Sequence, residues 1–220
     1  MLSKEIEKEV IQYLKQVRLL LFLEKSQTET EEVMSVVDKM PDLEEKVIRR
    51  KYLHQESEYT FHQVIYTDMN ISVHTYAKVR LRGLYKIALV LGFVDISLVK
   101  PTLFNSRLSD QREENLKKGD FLSKQDEELM IRYLQRAQIC KTIGSGHEEL
   151  KELQEALNKL DSIGANIITR KYLSREAEYT RHQAVYEALS INAVTYKKHR
   201  IQALTKLAAE LGLMHCTGEN

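Results

Sequence analysis

The residues YTFHQVIYTDMNISVHTYAKVRLRGLYKIALVLG, Tyr59 to Gly92, decide how this chain is read. They predict two helices joined by a tight turn, the second longer and basic. Thr60 and Gln63 have the spacing of a capping box, so a helix is expected to begin there. It would carry Val64, Ile65 and Met69 inward. Asn70-Ile71-Ser72 breaks it, because Asn tolerates the left-handed conformation and Ser72 is a good N-cap for the next helix. Tyr76, Gly83, Leu84, Ile87 and Leu91 follow at helical spacing and predict the buried stripe. Gly92 is the favoured helix-ending residue. Helix, short turn and longer helix is the helix-turn-helix layout.

The stretch occurs twice. Tyr179 to Gly212, YTRHQAVYEALSINAVTYKKHRIQALTKLAAELG, repeats the pattern 120 positions on. The same shift aligns Leu2–Phe93 with Leu122–Leu213 without a gap; 32 of the 92 pairs are identical, and 22 of those fall in the last 47. Duplication followed by divergence accounts for this, with the helix pair as the best-kept part. The expected fold is therefore all-α. It comprises a first repeat over 1–97, a linker over 98–120 and a second repeat over 121–220, each repeat ending in a helix-turn-helix (59–92 and 179–212).

Each repeat opens on a Ser suited to capping, Ser3 and Ser123, before helical runs through Val10, Ile11 and Leu14 and through Met130, Ile131 and Leu134. The first run continues as Val17-Arg18-Leu19-Leu20-Leu21-Phe22-Leu23, apolar nearly all round. A helix of that kind must be covered on more than one side. Two readings stand: packing within the chain, or a homodimer surface over Val17–Leu23. A second helix is expected at Glu29–Lys39 and at His147–Lys159. Asp42 with Glu45 predicts a capping box ahead of a third, Leu43–Leu53. Val94–Asp120 has an apolar first half expected to dock on a repeat and a charged, solvated second half.

At 220 residues the chain suits two small domains, and 8 Gly with 2 Pro favours helix. Apolar runs reach five residues, as in Leu19–Leu23, too short to span a membrane. The N-terminal residues do not read as a signal peptide. Cys140 and Cys216 are unpatterned, which fits a reduced cytoplasm, and with His199 and His215 they do not make a metal spacing. No phosphate loop, nucleophile elbow or zinc-protease motif occurs, so neither an enzyme nor a cofactor is expected.

A net charge of +1 does not announce a nucleic-acid binder, so local distribution must carry that case. The second helix of the first pair holds Lys78, Arg80, Arg82 and Lys86. Its counterpart holds Lys197, Lys198, His199, Arg200 and Lys206, and no acid precedes Glu210 in either. A slim helix flanked by cations suits the major groove of double-stranded DNA. Base edges would be met from its first turns: His74, Thr75, Lys78 and Arg82 in one copy, Val194, Thr195, Lys198 and Gln202 in the other. These sets differ while Tyr76/Tyr196 and Leu84/Leu204 match, which predicts two different half-sites. Arg80/Arg200 and Lys86/Lys206 match across the copies, as phosphate contacts would, with Lys197 and the helix starts at Thr60 and Thr180 as further phosphate candidates. His62 and His182 read as capping or packing residues. Tyr52, Tyr59, Tyr66 and Tyr76 read as packing, with base stacking the alternative.

The run V-I-R-R-K-Y-L at Val47–Leu53, followed by N-I-S-V-H-T-Y-A-K-V-R-L-R-G-L-Y-K-I-A-L-V-L-G-F at Asn70–Phe93, resembles the C-terminal part of the ArpU-like regulators of phages and prophages of Gram-positive bacteria. Those in turn resemble the promoter-reading last domain of sigma factors. Ile71-Ser72, Thr75-Tyr76, Lys78, Arg80, Leu84 and Leu91-Gly92 carry the match. Ile191, Thr195-Tyr196, Lys198, Arg200, Ala203-Leu204 and Leu211-Gly212 carry it in the second copy. Three departures stand out: the motif is doubled, Asn192 replaces the turn Ser, and Gly83 replaces Ala inside the basic helix. The resemblance implies a late-gene transcription regulator in the bacterial cytoplasm, with double-stranded DNA as partner. One rival expectation is a sigma-like module that contacts host RNA polymerase. The other is a DNA-packaging recognition subunit of the small-terminase type.

Overall fold

The computed structural model describes residues 2–23, 28–94 and 122–213. Among these are ten α-helices, two π-helical segments and no strand, so the protein is all-α. The chain divides into two compact units, Met1–Val99 with Thr142–Gly144 and Lys100–Lys141 with Ser145–Asn220. The expected linker over 98–120, most of the apolar Val94–Phe104 stretch, His215 and Cys216 lie outside the described residues.

In the first unit α1 spans Lys4–Phe22, α2 Thr28–Lys39, α3 Asp42–Ile48, α4 His62–Asp68 and α5 Val73–Val90, with a π segment at Arg49–Leu53 after α3. The second unit has the same order: α6 Lys124–Ile143, α7 His147–Asn158, α8 Ser162–Ile168, a π segment at Thr169–Leu173, α9 His182–Ala188 and α10 Ala193–Glu210. From α3 onward every boundary recurs 120 positions later.

The helices form where local chemistry and burial agree. The Ser3 hydroxyl accepts the Ile6 N–H and starts α1; the Ser123 hydroxyl accepts the Asp126 N–H ahead of α6. Val10, Leu14 and Val17 make one stripe of α1. They meet Val33, Val36 and Val37 of α2, Ile48 of α3, and Leu84 and Ile87 of α5 in a single core. The second core uses Met130, Leu134, Leu153, Ile168, Leu204 and Leu207. Burying one such Leu contributes about 1.5–3 kcal/mol.

The third helix was expected to run regularly to Leu53. Instead it loosens after Ile48, and the His54 N–H reaches back five residues to the Arg49 carbonyl at 2.8 Å, as Ser174 does to Thr169. The Asp42–Glu45 capping box does not form. Pro41 occupies the cap without a side-chain bond, Asp42 is already helical and pairs with Lys46, and Glu45 pairs with Arg49. The capping boxes at Thr60 and Thr180 are also absent. Each hydroxyl donates to a carbonyl behind it, Glu56 or Glu176, and α4 and α9 begin two residues later.

The turn follows expectation. Asn70 takes φ 51°, and Ser190 takes φ 54° at the matching place. The Ile71 N–H bonds to the Tyr66 carbonyl across it, the 6→1 closure that ends a helix on a left-handed residue. Ser72 then caps α5 through the Thr75 N–H at 3.1 Å, and Asn192 caps α10 through Thr195 at 2.8 Å. Gly92 and Gly212 end these helices in the left-handed region. Gly83 has a separate reason: a Cβ there would lie 2.6 Å from Cγ1 of Ile48, so only Gly lets α3 approach α5 this closely. In the second unit the small residue moves across, Ala203 facing Gly164.

Candidate nucleic-acid interface

The α4–α5 pair is held by a polar frame that sequence reading missed. Arg80, in the middle of α5, donates to the Tyr52 hydroxyl at 2.6 Å and to the Glu7 carboxylate at 2.6 Å. One guanidinium thus ties α5 to α1 and to the π segment. Lys51, beside Tyr52, donates to the Thr60 carbonyl at 2.8 Å and fixes the approach to α4. At the start of α4, His62 Nδ1 lies 2.6 Å from the Tyr76 hydroxyl, and the two rings meet edge to face.

The second unit repeats each contact. Arg200 donates to Tyr172 at 2.8 Å and to Glu127 at 2.6 Å. Lys171 donates to Thr180 at 2.8 Å, and His182 Nδ1 sits 2.6 Å from the Tyr196 hydroxyl. The signal in the sequence was the identity of Glu7/Glu127, Lys51/Lys171 and Tyr52/Tyr172, all outside the helix pair.

Titration directions set the charge states of the His–Tyr contact. Burial, then Lys171 and Arg200, pulls His182 down to about 4, while burial pushes Tyr196 up. His62 is lowered by burial, Lys51 and Arg80, and Tyr76 is raised to about 12, mainly by burial. At neutral pH the contact therefore joins a protonated phenol and an uncharged imidazole, with the donor set by the imidazole tautomer. These histidines are packing residues, in line with the sequence reading.

Several expected phosphate contacts are corrected by this geometry. Arg80 and Arg200 are largely enclosed and already spend their donors inside their own units. Lys86 is 2% exposed and lies 2.8 Å from the buried Glu44 carboxylate, so it cannot reach a ligand outside. Lys206 is exposed but donates to the Lys159 carbonyl. Thr60 and Thr180, whose amides were the phosphate candidates, donate both N–H and hydroxyl to the Glu56 and Glu176 carbonyls behind them. Val64, expected inward, is exposed, because Ile65 takes the core position on a helix of only seven residues.

The first turns of α5 and α10 remain open to solvent. His74 and Lys78 are exposed on α5; Val194, Lys197, Lys198 and Gln202 are exposed on α10. Thr75 and Thr195 are half-buried, and the Thr75 hydroxyl pairs with Ser72. Arg82 is half-buried with its Nε shut off from water.

Comparison with known proteins finds no family model, no curated protein and no solved structure that matches this chain. Among the described residues no cluster of His, Cys, Asp and Glu is able to hold a metal ion, and no helix is long and apolar enough to cross a membrane. Cys140 is buried, and burial pushes its thiol up, away from the reactive range.

Proposed function

We propose that this protein is a sequence-specific, double-stranded-DNA-binding transcription regulator whose α4–α5 and α9–α10 pairs are tandem helix-turn-helix units. One observation carries the reading. In both units an identical internal frame holds a helix whose first three turns bear no acid and leave Lys78, or Lys197 and Lys198, in solvent. A rigid scaffold that presents exposed cations and variable neighbours from one helix is what groove reading requires. The resemblance to ArpU-like and sigma-type readers points to phage or prophage late genes and to the bacterial cytoplasm.

The half-site expectation belongs to the same reading. His74, Thr75, Lys78 and Arg82 face one sequence, Val194, Thr195, Lys198 and Gln202 another. Selection of bound duplexes from a random pool tests it directly: two dissimilar half-sites support it, and recovery of unselected sequence at low salt removes it.

A protein partner is the second reading. Tyr59, Phe61, Val64 and Val73 expose apolar surface in the first copy, which suits contact with host RNA polymerase. Leu19, Leu21, Phe22 and Leu23 at the end of α1 are also exposed and suit a second copy of this chain. Binding of purified polymerase without DNA would favour the first contact, and a dimer mass by light scattering the second. Ring-shaped oligomers would favour a DNA-packaging subunit instead.

A further inference from the structure

The two copies are unequal in charge at the surface that matters. Three aligned positions compare as follows: Phe61 corresponds to Arg181, Ala77 to Lys197, and Lys78 to Lys198. All six side chains are exposed, Phe61 at 76%. The His182–Tyr196 contact brings the start of α9 beside the second turn of α10, so Arg181 and the Lys197-Lys198 pair share one end of the helix pair. Among the described residues none of these three cations is held in an ion pair. Of the nearby acids, Glu187 is engaged with Gln183 and Asp161 caps α8.

In the first copy the same end carries one exposed lysine, Lys78, amid Tyr59, Phe61 and Val73. Arg80 and Lys86 are spent internally, and Arg82 is half-buried. Counterion release scales with the number of phosphates neutralised, about 0.9 in the salt slope for each. Three free cations against one is a difference that this scaling makes measurable.

We infer that the second copy, through Arg181, Lys197 and Lys198, supplies most of the phosphate neutralisation when the protein binds duplex DNA. The first copy adds Lys78 and a largely apolar face. This rests on the DNA-binding reading above and assigns the division of labour within it.

The test uses the full chain and a mixed-sequence duplex of some thirty base pairs, with affinity read by fluorescence anisotropy between 50 and 200 mM salt, conditions of order suited to such slopes. Three proteins are compared: the natural chain, R181A/K197A/K198A, and K78A. All four positions are surface sites, and circular dichroism melts verify that each variant is folded. The triple variant should lose about 2.7 from the salt slope, so that its affinity falls about 40-fold less than the natural chain's across that range. K78A should lose about 0.9, a difference of about 3- to 4-fold. A triple variant with an unchanged slope, or a larger loss in K78A, overturns the assignment while leaving DNA binding intact. No binding by the natural chain at 50 mM salt overturns the DNA-binding reading itself, and this assignment with it.

Discussion

Lys86 places its ammonium 2.8 Å from the Glu44 carboxylate with both side chains shut off from solvent, 2% and 0% exposed. The second unit has no such pair at the matching positions. Gly164 stands where Glu44 does, and Lys206, free of a carboxylate, turns out to the Lys159 carbonyl. A charge inside a core is tolerable only with its partner present. Glu44→Ala is therefore expected to destabilise the chain by about 3–5 kcal/mol. Glu44→Leu with Lys86→Met should recover most of that loss, since a buried pair is often replaceable by apolar side chains. Urea titration of the three proteins checks both statements.

Arg80 and Arg200 look like DNA contacts in the sequence and act as internal ties in the structure. Arg80→Ala removes bonds to Tyr52 and Glu7, and should cost about 1.5–3 kcal/mol of stability. Its salt slope for DNA binding, measured below the melting temperature, should stay that of the natural chain. A slope lowered by about 0.9 would return Arg80 to the phosphate contacts.

His182 gives the fold a defined response to acid. Its folded value is about 4, against about 6.5 in an unfolded chain. Above pH 6.5 both states are neutral, and the site has no pH effect. Between 6.5 and 4 the unfolded chain takes up a proton that the folded chain refuses, so stability falls through that window. His62 acts in the same direction. Thermal melts at pH 7 and pH 5 should show a larger drop for the natural chain than for His182→Gln.

Gly83 illustrates a conflict between local and tertiary preference. Ala would improve helix propensity by about 1 kcal/mol. Its Cβ would meet the Ile48 side chain at 2.6 Å. Overpacking costs about 1–3 kcal/mol, so Gly83→Ala should be neutral to destabilising, and the clash should vanish in Ile48→Ala, which removes both Cγ1 and Cδ1. Chemical denaturation of the single and double variants measures the balance.

What sequence reading captured was the part governed by short-range rules. Ser72, Asn192, Asn70, Gly92 and Gly212 sit where cap and turn chemistry placed them, and the buried stripe of Tyr76, Leu84 and Ile87 followed from helical spacing. Reading failed where a side chain's role depends on a partner far along the chain. Arg80 finds Glu7 73 residues away, and Lys86 finds Glu44 42 residues away. Both are long, flexible cations whose spacing resembles that of exposed ones. Identity across the copies pointed to a shared contact, but for Arg80 and Arg200 the contact lies within each unit. Thr60 misled for a related reason: its hydroxyl turns back to donate to the Glu56 carbonyl instead of accepting a helix N–H as the capping box requires.

The left-handed residue between the paired helices has an effect on how mutational maps of this protein should be understood. Asn70 and Ser190 hold positive φ at the point that sets the angle between the two helices, and their side chains need touch nothing to do so. A β-branched residue at either place would be strained by about 1–2 kcal/mol. The helix after it would swing, and every exposed position on that helix would move with it. A loss-of-function screen would thus mark Asn70 and Ser190 as strongly as a side chain of the proposed DNA interface. Glycine distinguishes the two cases: it deletes the side chain yet accepts the backbone angle, so Ser190→Gly should retain activity where a deleted contact would not.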